Sequence, residues 1–284
     1  MHSNRIRRVI NKHERSQYPM LPGVFSAIKK DGTIYYRASL TYKTKHISLG
    51  SFPTEELAAD AYLEGYQIIN ESEITINNFY DTAHVLSYDK VVVLLNFRDN
   101  NLYFNNPIYL RKGYFSYFLS PNIELKFDND DLFYYSGHRI LKRQGHLYVN
   151  DYGMQYSILA RYGIRPYAVA GRDFTFANGD ETDYRYSNII VINRYHGVCE
   201  YLKNGMKRYR VTIHINGNYK IGTYSTEEKA AIAYNKAVDL AKMHGITKAF
   251  PENYVDSIPA KEYADIYSKL KISKRYLTYL ATFV

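Results

Sequence analysis

Two separate stretches of the chain alternate apolar and polar side chains. In residues 209–214 apolar positions alternate with polar ones, and residues 36–41 repeat the pattern. A period of two is typical of a strand with one buried and one exposed face. After the later stretch, apolar residues recur at helical spacing from Ala230 to Ala241. This pattern predicts strands followed by a helix that covers their apolar face and leaves the polar face open.

The two stretches belong to an internal repeat. Gly50 corresponds to Gly222 and Tyr62 to Tyr234, and both pairs are 172 positions apart. The residues that predict hairpin turns and helix N-caps are Asp31-Gly32 and Thr54 in copy one, and Asn204-Gly205, Asn216-Gly217 and Thr226 in copy two. Each copy therefore predicts three antiparallel strands and a helix, and the fold class is α+β.

The repeat divides the chain into five segments. They are a basic N-terminal arm (1–17), copy one (18–78), a strand-rich central domain (79–193), copy two (194–256) and a basic helical tail (257–284). Apolar runs in the centre predict strands at 90–95, 108–110 and 123–127, and a helix is expected near 154–162. The tail spacing predicts a helix that packs on a domain or on a second chain.

Charge is distributed in the same way in both copies. The chain has 284 residues and a net charge of +9, with 32 Tyr and no Trp. Residues 194–224 carry +5 and residues 18–50 carry +4, whereas the helical parts are acidic and residues 79–193 sum to zero. Cationic sheets favour a polyanionic partner. The single cysteine, Cys199, excludes an internal disulfide and a cysteine-based zinc site.

The residues of copy two resemble a known DNA-binding family. Tyr195-His196-Gly197-Val198 precedes the segments YRVTI (209–213), KIGTY (220–224) and EEKAAIAY (227–234). These segments are similar to the ethylene-response-factor (APETALA-type) domain, which also occurs in phage and mobile-element endonucleases, and copy one is a more divergent match. In that family an open three-stranded sheet enters the DNA major groove. The resemblance implies a sequence-preferring, double-stranded DNA-binding protein, with a regulatory role by analogy.

The same resemblance implies the contact residues. Arg37 and Arg210 are the best candidates for base edges, and the other cations would neutralise phosphates. The expected DNA-binding residues are His196, Tyr201, Lys203, Lys207, Arg208, Arg210, Thr212, His214, Asn218 and Lys220 in copy two; Lys29, Lys30, Arg37, Ser39, Thr41, Lys45, His46 and Ser48 in copy one; and Arg5, Arg7 and Arg8 in the arm.

The end of the central segment resembles a nuclease motif. Residues 174–193, FTFANGDETDYRYSNIIVIN, are similar to the HNH (His-Me finger) motif of homing endonucleases. Thr175 stands in place of the metal-binding Asp of the motif, Phe176 in place of its His base and Tyr184 in place of an Asn. Asn188 completes this set of positions. A phenyl ring cannot accept a proton. The resemblance therefore implies an HNH-like scaffold that has lost hydrolysis, with no catalytic residue, no metal and no cofactor.

Three functions stay open at this point. The first is DNA binding by both sheets in the cytoplasm of a bacterial host, associated with the nucleoid. The second is an active HNH-type endonuclease, and the third is a protein-interaction or defence-related factor on the same fold. We expect no membrane association, and a homodimer or protein partner would bind through the central domain or the tail. His138 and His146 are expected to be ordinary turn or sheet histidines, and residues 128–131 a turn.

Overall fold

The computed structural model describes residues 23–71, 73–81, 84–166 and 168–283, and its mixture of helices and antiparallel sheets confirms the α+β class. It divides into two compact units. The first comprises described residues up to 142 with 149–154 and 182–185, and the second comprises 143–148, 155–181 and 186–283. The central segment thus contributes residues to both units. No helix in the described ranges is long and apolar enough to span a membrane.

Copy one forms the beginning of the first unit. Strands β1 (Val24–Ile28), β2 (Ile34–Tyr42) and β3 (Lys45–Phe52) make an antiparallel sheet with β2 in the middle, and helix α1 (Glu55–Asn70) follows. The helix lies close to the sheet because it presents small residues. A Cβ atom on Gly65 would lie 3.0 Å from the side chains of Leu40 and Leu49.

The rest of the first unit corrects one expectation from the sequence. Residues 90–95, predicted as a strand, lie in helix α2 (Tyr88–Asn100), whose positions 91–97 are all buried. A short apolar run fits a buried strand and a buried helix equally well, so periodicity could not separate them. The expected strands at 108–110 and 123–127 are confirmed as β4 (Ile108–Leu110) and β6 (Ile123–Asp128), which flank β5 (Tyr114–Ser120). Helix α3 (Leu132–Gly137) follows.

A small sheet follows α3. Its strands are β7 (Ile140–Arg143), β8 (His146–Asp151) and β9 (Met154–Ser157), joined by tight turns with positive φ angles at residues 144–145 and 152–153. The expectation of a helix near 154–162 is therefore wrong for residues 154–157, which form β9. Only residues Ile158–Tyr162 are helical, as a short 3-10 turn.

The second unit contains copy two. Strands β10 (Phe174–Phe176) and β11 (Ile189–Val191) form a two-stranded ladder. After them, β12 (Val198–Lys203), β13 (Met206–His214) and β14 (Asn218–Tyr224) form an antiparallel sheet with β13 in the middle, covered by helix α4 (Glu227–Met243). Helices α5 (Ala260–Lys269) and α6 (Lys274–Leu280) complete the unit.

The two copies share the same local structure, which confirms the repeat. Gly23 and Gly197 have φ angles of +76° and +69°, and a Cβ on either would lie 2.3 Å from a ring carbon of Tyr62 or Tyr234. The carbonyls of both glycines accept a hydrogen bond from the middle strand of their own sheet, at 2.9 and 2.8 Å. The predicted caps are also confirmed, since the hydroxyls of Thr54 and Thr226 each accept an N–H of the first helical turn.

The expected tail helix packs on its own chain. Tyr276 and Leu280 are fully buried in the core that β12–β14 and α4 share, and the Tyr276 hydroxyl donates to the Ala237 carbonyl at 2.8 Å. The ammonium group of Lys236 donates to the carbonyls of Tyr267 and Leu270 at the end of α5. Residues 260–283 are therefore part of the copy-two module, and most of their large apolar side chains pack inside it, while Leu277 and Phe283 are exposed.

Candidate nucleic-acid interface

The open face of the copy-two sheet is defined by alternation along β13. Val211 and Ile213 are buried against α4, whereas Arg210 before them and His214 after them are exposed. The register extends this face to both neighbouring strands, because Cys199 and Thr223 lie opposite Arg210. We call this surface the outer face of β12–β14. Of the residues expected to contact DNA, it carries Tyr201, Lys203, Arg208, Arg210, Thr212, His214, Asn218 and Lys220.

Cations dominate this outer face. Lys203, Arg210 and Lys220 are exposed and Arg208 is half-buried, and no acidic residue shares the face. Glu200, the one acidic residue in the three strands, lies on the opposite side of the sheet, because it pairs with Tyr209 rather than with Arg210. The face therefore presents positive charge from all three strands with no internal neutralisation.

Lys207 is a correction to the expected set. It alternates with Arg208 and so shares the side of Tyr209 and Glu200, where its ammonium group lies 3.0 Å from a carboxylate oxygen of Glu200. This ion pair raises the pKa of Lys207, through the hydrogen bond to Glu200 first and its charge second. Lys207 is exposed, but it does not belong to the outer face.

Arg210 is held in place by an aromatic ring. Its guanidinium carbon lies 5.4 Å from the centre of the Tyr201 ring, which is on the neighbouring strand. A guanidinium held over a ring by a cation–π contact keeps N–H groups that can donate to other acceptors. Arg210 thus sits in the middle strand of the face with donors available to a planar acceptor.

His196 plays a structural part next to this face. Its backbone N–H donates to the Asn253 side chain at 2.7 Å and its carbonyl accepts from the same side chain at 3.0 Å. Burial lowers the pKa of its imidazole, and the charge of Arg165 lowers it further. His196 therefore favours the neutral form and adds no cation to the interface.

The outer face of copy one is more apolar. Arg37 donates from its guanidinium to the Tyr35 hydroxyl at 2.6 Å and lies over that ring, so it also contacts a tyrosine, although this tyrosine is on the same strand rather than on the neighbouring one. Phe25, opposite Arg37 in the register, is 47% exposed. The other expected contact residues that are exposed here are Lys29, Lys30, Thr41, His46 and Ser48.

Two expected contact residues of copy one are not available on this face. Ser39 is 7% exposed, because a short side chain on the middle strand does not extend beyond its neighbours on both sides. Lys45 lies opposite Tyr42 in the register, and its ammonium group lies 5.0 Å from the centre of the Tyr103 ring. The expected contacts from Arg5, Arg7 and Arg8 fall outside the described residues.

The HNH-like positions are built into the packing. Phe176 makes an edge-to-face contact with Phe174, and Thr175 lies in the same strand, opposite Ile190. Asn188 is buried, and its side-chain and backbone oxygens accept the N–H groups of Asn178 and Ala177, both at 2.8 Å. Asn188 therefore fixes the loop between β10 and β11.

The remaining altered position, Tyr184, lies in the first unit. Its ring stacks on Phe127 with centres 5.6 Å apart. The adjacent Asp183 is 1% exposed and forms a two-pronged ion pair with Arg185, at 2.8 and 2.5 Å. In the part of the chain that the structure describes, no cluster of three or more His, Cys, Asp or Glu side chains could hold a metal ion.

Asp173 is a heavily hydrogen-bonded residue of the second unit that was not among the residues expected from the sequence. It is 1% exposed and accepts hydrogen bonds from Arg165 at 2.7 Å and Arg172 at 2.6 Å. Burial alone would raise its pKa, but these bonds and an N–H from Val169 outweigh burial and lower the pKa to about 2. Arg165 also donates to the Tyr195 carbonyl, so this cluster braces the entry to β12. Its charged members all lie within residues 165–173, but no recognised sequence motif marks them.

In comparisons with known proteins, no family model, no curated protein and no solved structure matches the chain.

Proposed function

We propose that the protein binds double-stranded DNA with a sequence preference, by inserting the outer face of β12–β14 into the major groove. Copy one provides a second, less cationic sheet for the same purpose. The proposed role is regulatory, in the bacterial cytoplasm and near the nucleoid, and it involves no strand cleavage. One observation carries the proposal. The exposed side of the copy-two sheet has four cations and no acid.

The dimensions of the sheet support this mode of binding. Neighbouring strands lie about 4.8 Å apart, so three strands span about 10 Å between the axes of the outer two. The major groove of B-DNA is about 12 Å wide. The middle strand would then face the bases, and the two outer strands would face the phosphates that line the groove.

This orientation assigns different tasks to the cations. Arg210, on the middle strand, is proposed to read a base edge, because a guanidinium matches the paired acceptors of guanine. Lys203 and Lys220, on the outer strands, are proposed to contact phosphates, which position the protein without reading sequence. Arg37 would act as the counterpart of Arg210 in copy one.

The absence of cleavage in the proposal follows from Phe176. Its phenyl ring occupies the position of the general base in the HNH pattern, and the ring packs on Phe174. Incubation of the purified protein with supercoiled plasmid and Mg²⁺ or Mn²⁺ should leave the plasmid intact. Nicking that a chelator abolishes would contradict this part of the proposal.

The test of DNA binding compares two double variants. Arg210→Ala with Lys220→Ala removes two cations from the outer face, and Lys229→Ala with Lys242→Ala removes two exposed cations from α4, which covers the opposite face. Fluorescence anisotropy with a labelled duplex gives the affinity as salt rises from about 50 to about 200 mM. Because Lys220 is the one of the two that is proposed to contact a phosphate, the slope of log affinity against log salt should fall by about 0.9, so the salt effect shrinks about 3.5-fold.

At the cognate sequence the Arg210→Ala with Lys220→Ala variant should lose more affinity than at a random duplex, since one arginine contact to a base is worth about 1–3 kcal/mol of discrimination. The control variant should retain both affinity and slope. Equal losses in the two variants would show that binding depends on net charge alone and would refute the assignment of the outer face.

A further inference from the structure

The connection between α5 and α6 runs along the free edge of the copy-two sheet. The backbone N–H of Ser273 donates to the Ile221 carbonyl at 3.0 Å, and the Tyr224 hydroxyl donates to the Lys271 carbonyl at 3.3 Å. Ile221 and Tyr224 both belong to β14, which has a neighbouring strand on one side only. Residues 271–275, which we call the edge segment, are thereby attached to the border of the proposed DNA-binding face.

The edge segment is fixed by packing on both sides. Immediately after it, Tyr276 and Leu280 are fully buried in the module core. The ring of Tyr279 stacks on Tyr219 of β14, with centres 4.0 Å apart and planes at 19°. Leu270, just before the segment, and Ile272 within it pack against the same core. The position of the segment beside β14 is therefore set by the fold.

The edge segment is strongly cationic. Lys271, Lys274 and Arg275 are all exposed, and no acidic residue occurs between positions 271 and 283. The preceding cation, Lys269, is by contrast 2.7 Å from a carboxylate oxygen of Asp265 in the same helix. The segment that carries these three cations is thus attached through Ser273 to Ile221, the neighbour of Lys220.

We propose that the edge segment is a second phosphate-binding element, which contacts the DNA backbone on the side of the groove that β14 faces. This inference rests on the proposed function of the outer face. A sheet that fills the groove brings its edges to the phosphate walls, so a cationic segment attached to one edge extends the contact onto that backbone. The contact is independent of base sequence and makes the footprint of copy two wider on the β14 side.

The experiment removes the three charges from the full-length protein. In the variant Lys271→Ala, Lys274→Ala and Arg275→Ala, the salt slope should fall by about 2.7, so that wild type loses about 40-fold more affinity than the variant between about 50 and about 200 mM salt. The preference for cognate over random duplex should stay unchanged, because phosphate contacts carry no sequence information. Hydroxyl-radical footprinting should show fewer protected sugars at one border only.

The matched control removes three exposed lysines from the helices, with Lys229→Ala, Lys242→Ala and Lys261→Ala, and should keep the wild-type slope. A charge-conserving variant, Lys271→Arg with Lys274→Arg, should also keep it, which separates lost charge from lost structure.

The outcomes distinguish this inference from the function on which it rests. If the edge variant keeps the wild-type slope and footprint while Arg210→Ala with Lys220→Ala weakens binding, the edge segment is not a contact and only this inference fails. If wild type itself binds no duplex, the proposed function fails as well. A loss confined to the edge variant, with the control unchanged, supports the inference.

Discussion

Replacing Gly197 by alanine should disrupt the copy-two module more than any exposed glycine substitution. The φ angle of Gly197 is +69°, and a Cβ there would lie 2.3 Å from Tyr234 and 2.5 Å from the Thr212 carbonyl. A left-handed conformation costs an alanine about 1–2 kcal/mol. Overpacking a core adds about 1–3 kcal/mol. The free energy of unfolding should therefore fall by about 2–5 kcal/mol in Gly197→Ala.

Gly205 provides the matched control for this variant. Its φ angle is +75°, but nothing lies within 4 Å of an added Cβ. Gly205→Ala should cost only the backbone term, about 1–2 kcal/mol. Urea unfolding followed by far-UV circular dichroism gives both values. Equal destabilisation of the two variants would refute the steric reasoning, whereas a loss in Gly23→Ala similar to that in Gly197→Ala would extend it to copy one.

Three further predictions concern the second unit. Because the pKa of Asp173 lies at about 2, below the ordinary 3.8, its ion pairs stabilise the fold above about pH 4. As pH falls from about 4 to 2, about 2 kcal/mol of this stability should disappear in wild type and not in Asp173→Asn, as acid titration of urea midpoints would show. Thr226→Ala should cost about 1 kcal/mol through loss of the helix cap, measured by urea unfolding. Tyr276→Phe should cost about 0.5–1.5 kcal/mol by the same measurement, since it removes the buried hydrogen bond to Ala237, and Tyr254→Phe at an exposed site should cost nothing.

Local patterns were sufficient to predict the two modules. The alternation around Arg210 and Arg37 gave the strands and their exposed faces, and Thr54 and Thr226 gave the helix starts. Tyr209 and its counterpart Tyr36 pack against the cores, as their strand positions predicted. These features depend on residues that are close together in sequence, so the amino-acid sequence alone is enough to predict them.

Features that depend on distant contacts were not predicted. Residues 90–95 have the composition of a strand but form part of a helix. The sequence could not show this, because a helix that is buried on all sides has no periodic pattern of apolar and polar residues. The Asp173 cluster is tied to distant positions by the bonds from Asn193 to Asp173 and from Arg165 to Tyr195, 20 and 30 positions apart, and Lys207 pairs across strands with Glu200. The edge segment is basic in sequence, but only its hydrogen bonds to β14, from Ser273 to Ile221 and from Tyr224 to Lys271, place it beside the proposed DNA-binding face.

The most direct test of the central claim is selection of bound sequences from a pool of random duplex DNA by the full-length protein. The account predicts that a defined motif is enriched, and that Arg210→Ala loses or relaxes the preference at one position of that motif while Lys220→Ala weakens binding without changing it. Recovery of a random pool, or an enriched motif that Arg210→Ala leaves unchanged, would contradict the claim that the outer face of β12–β14 reads DNA.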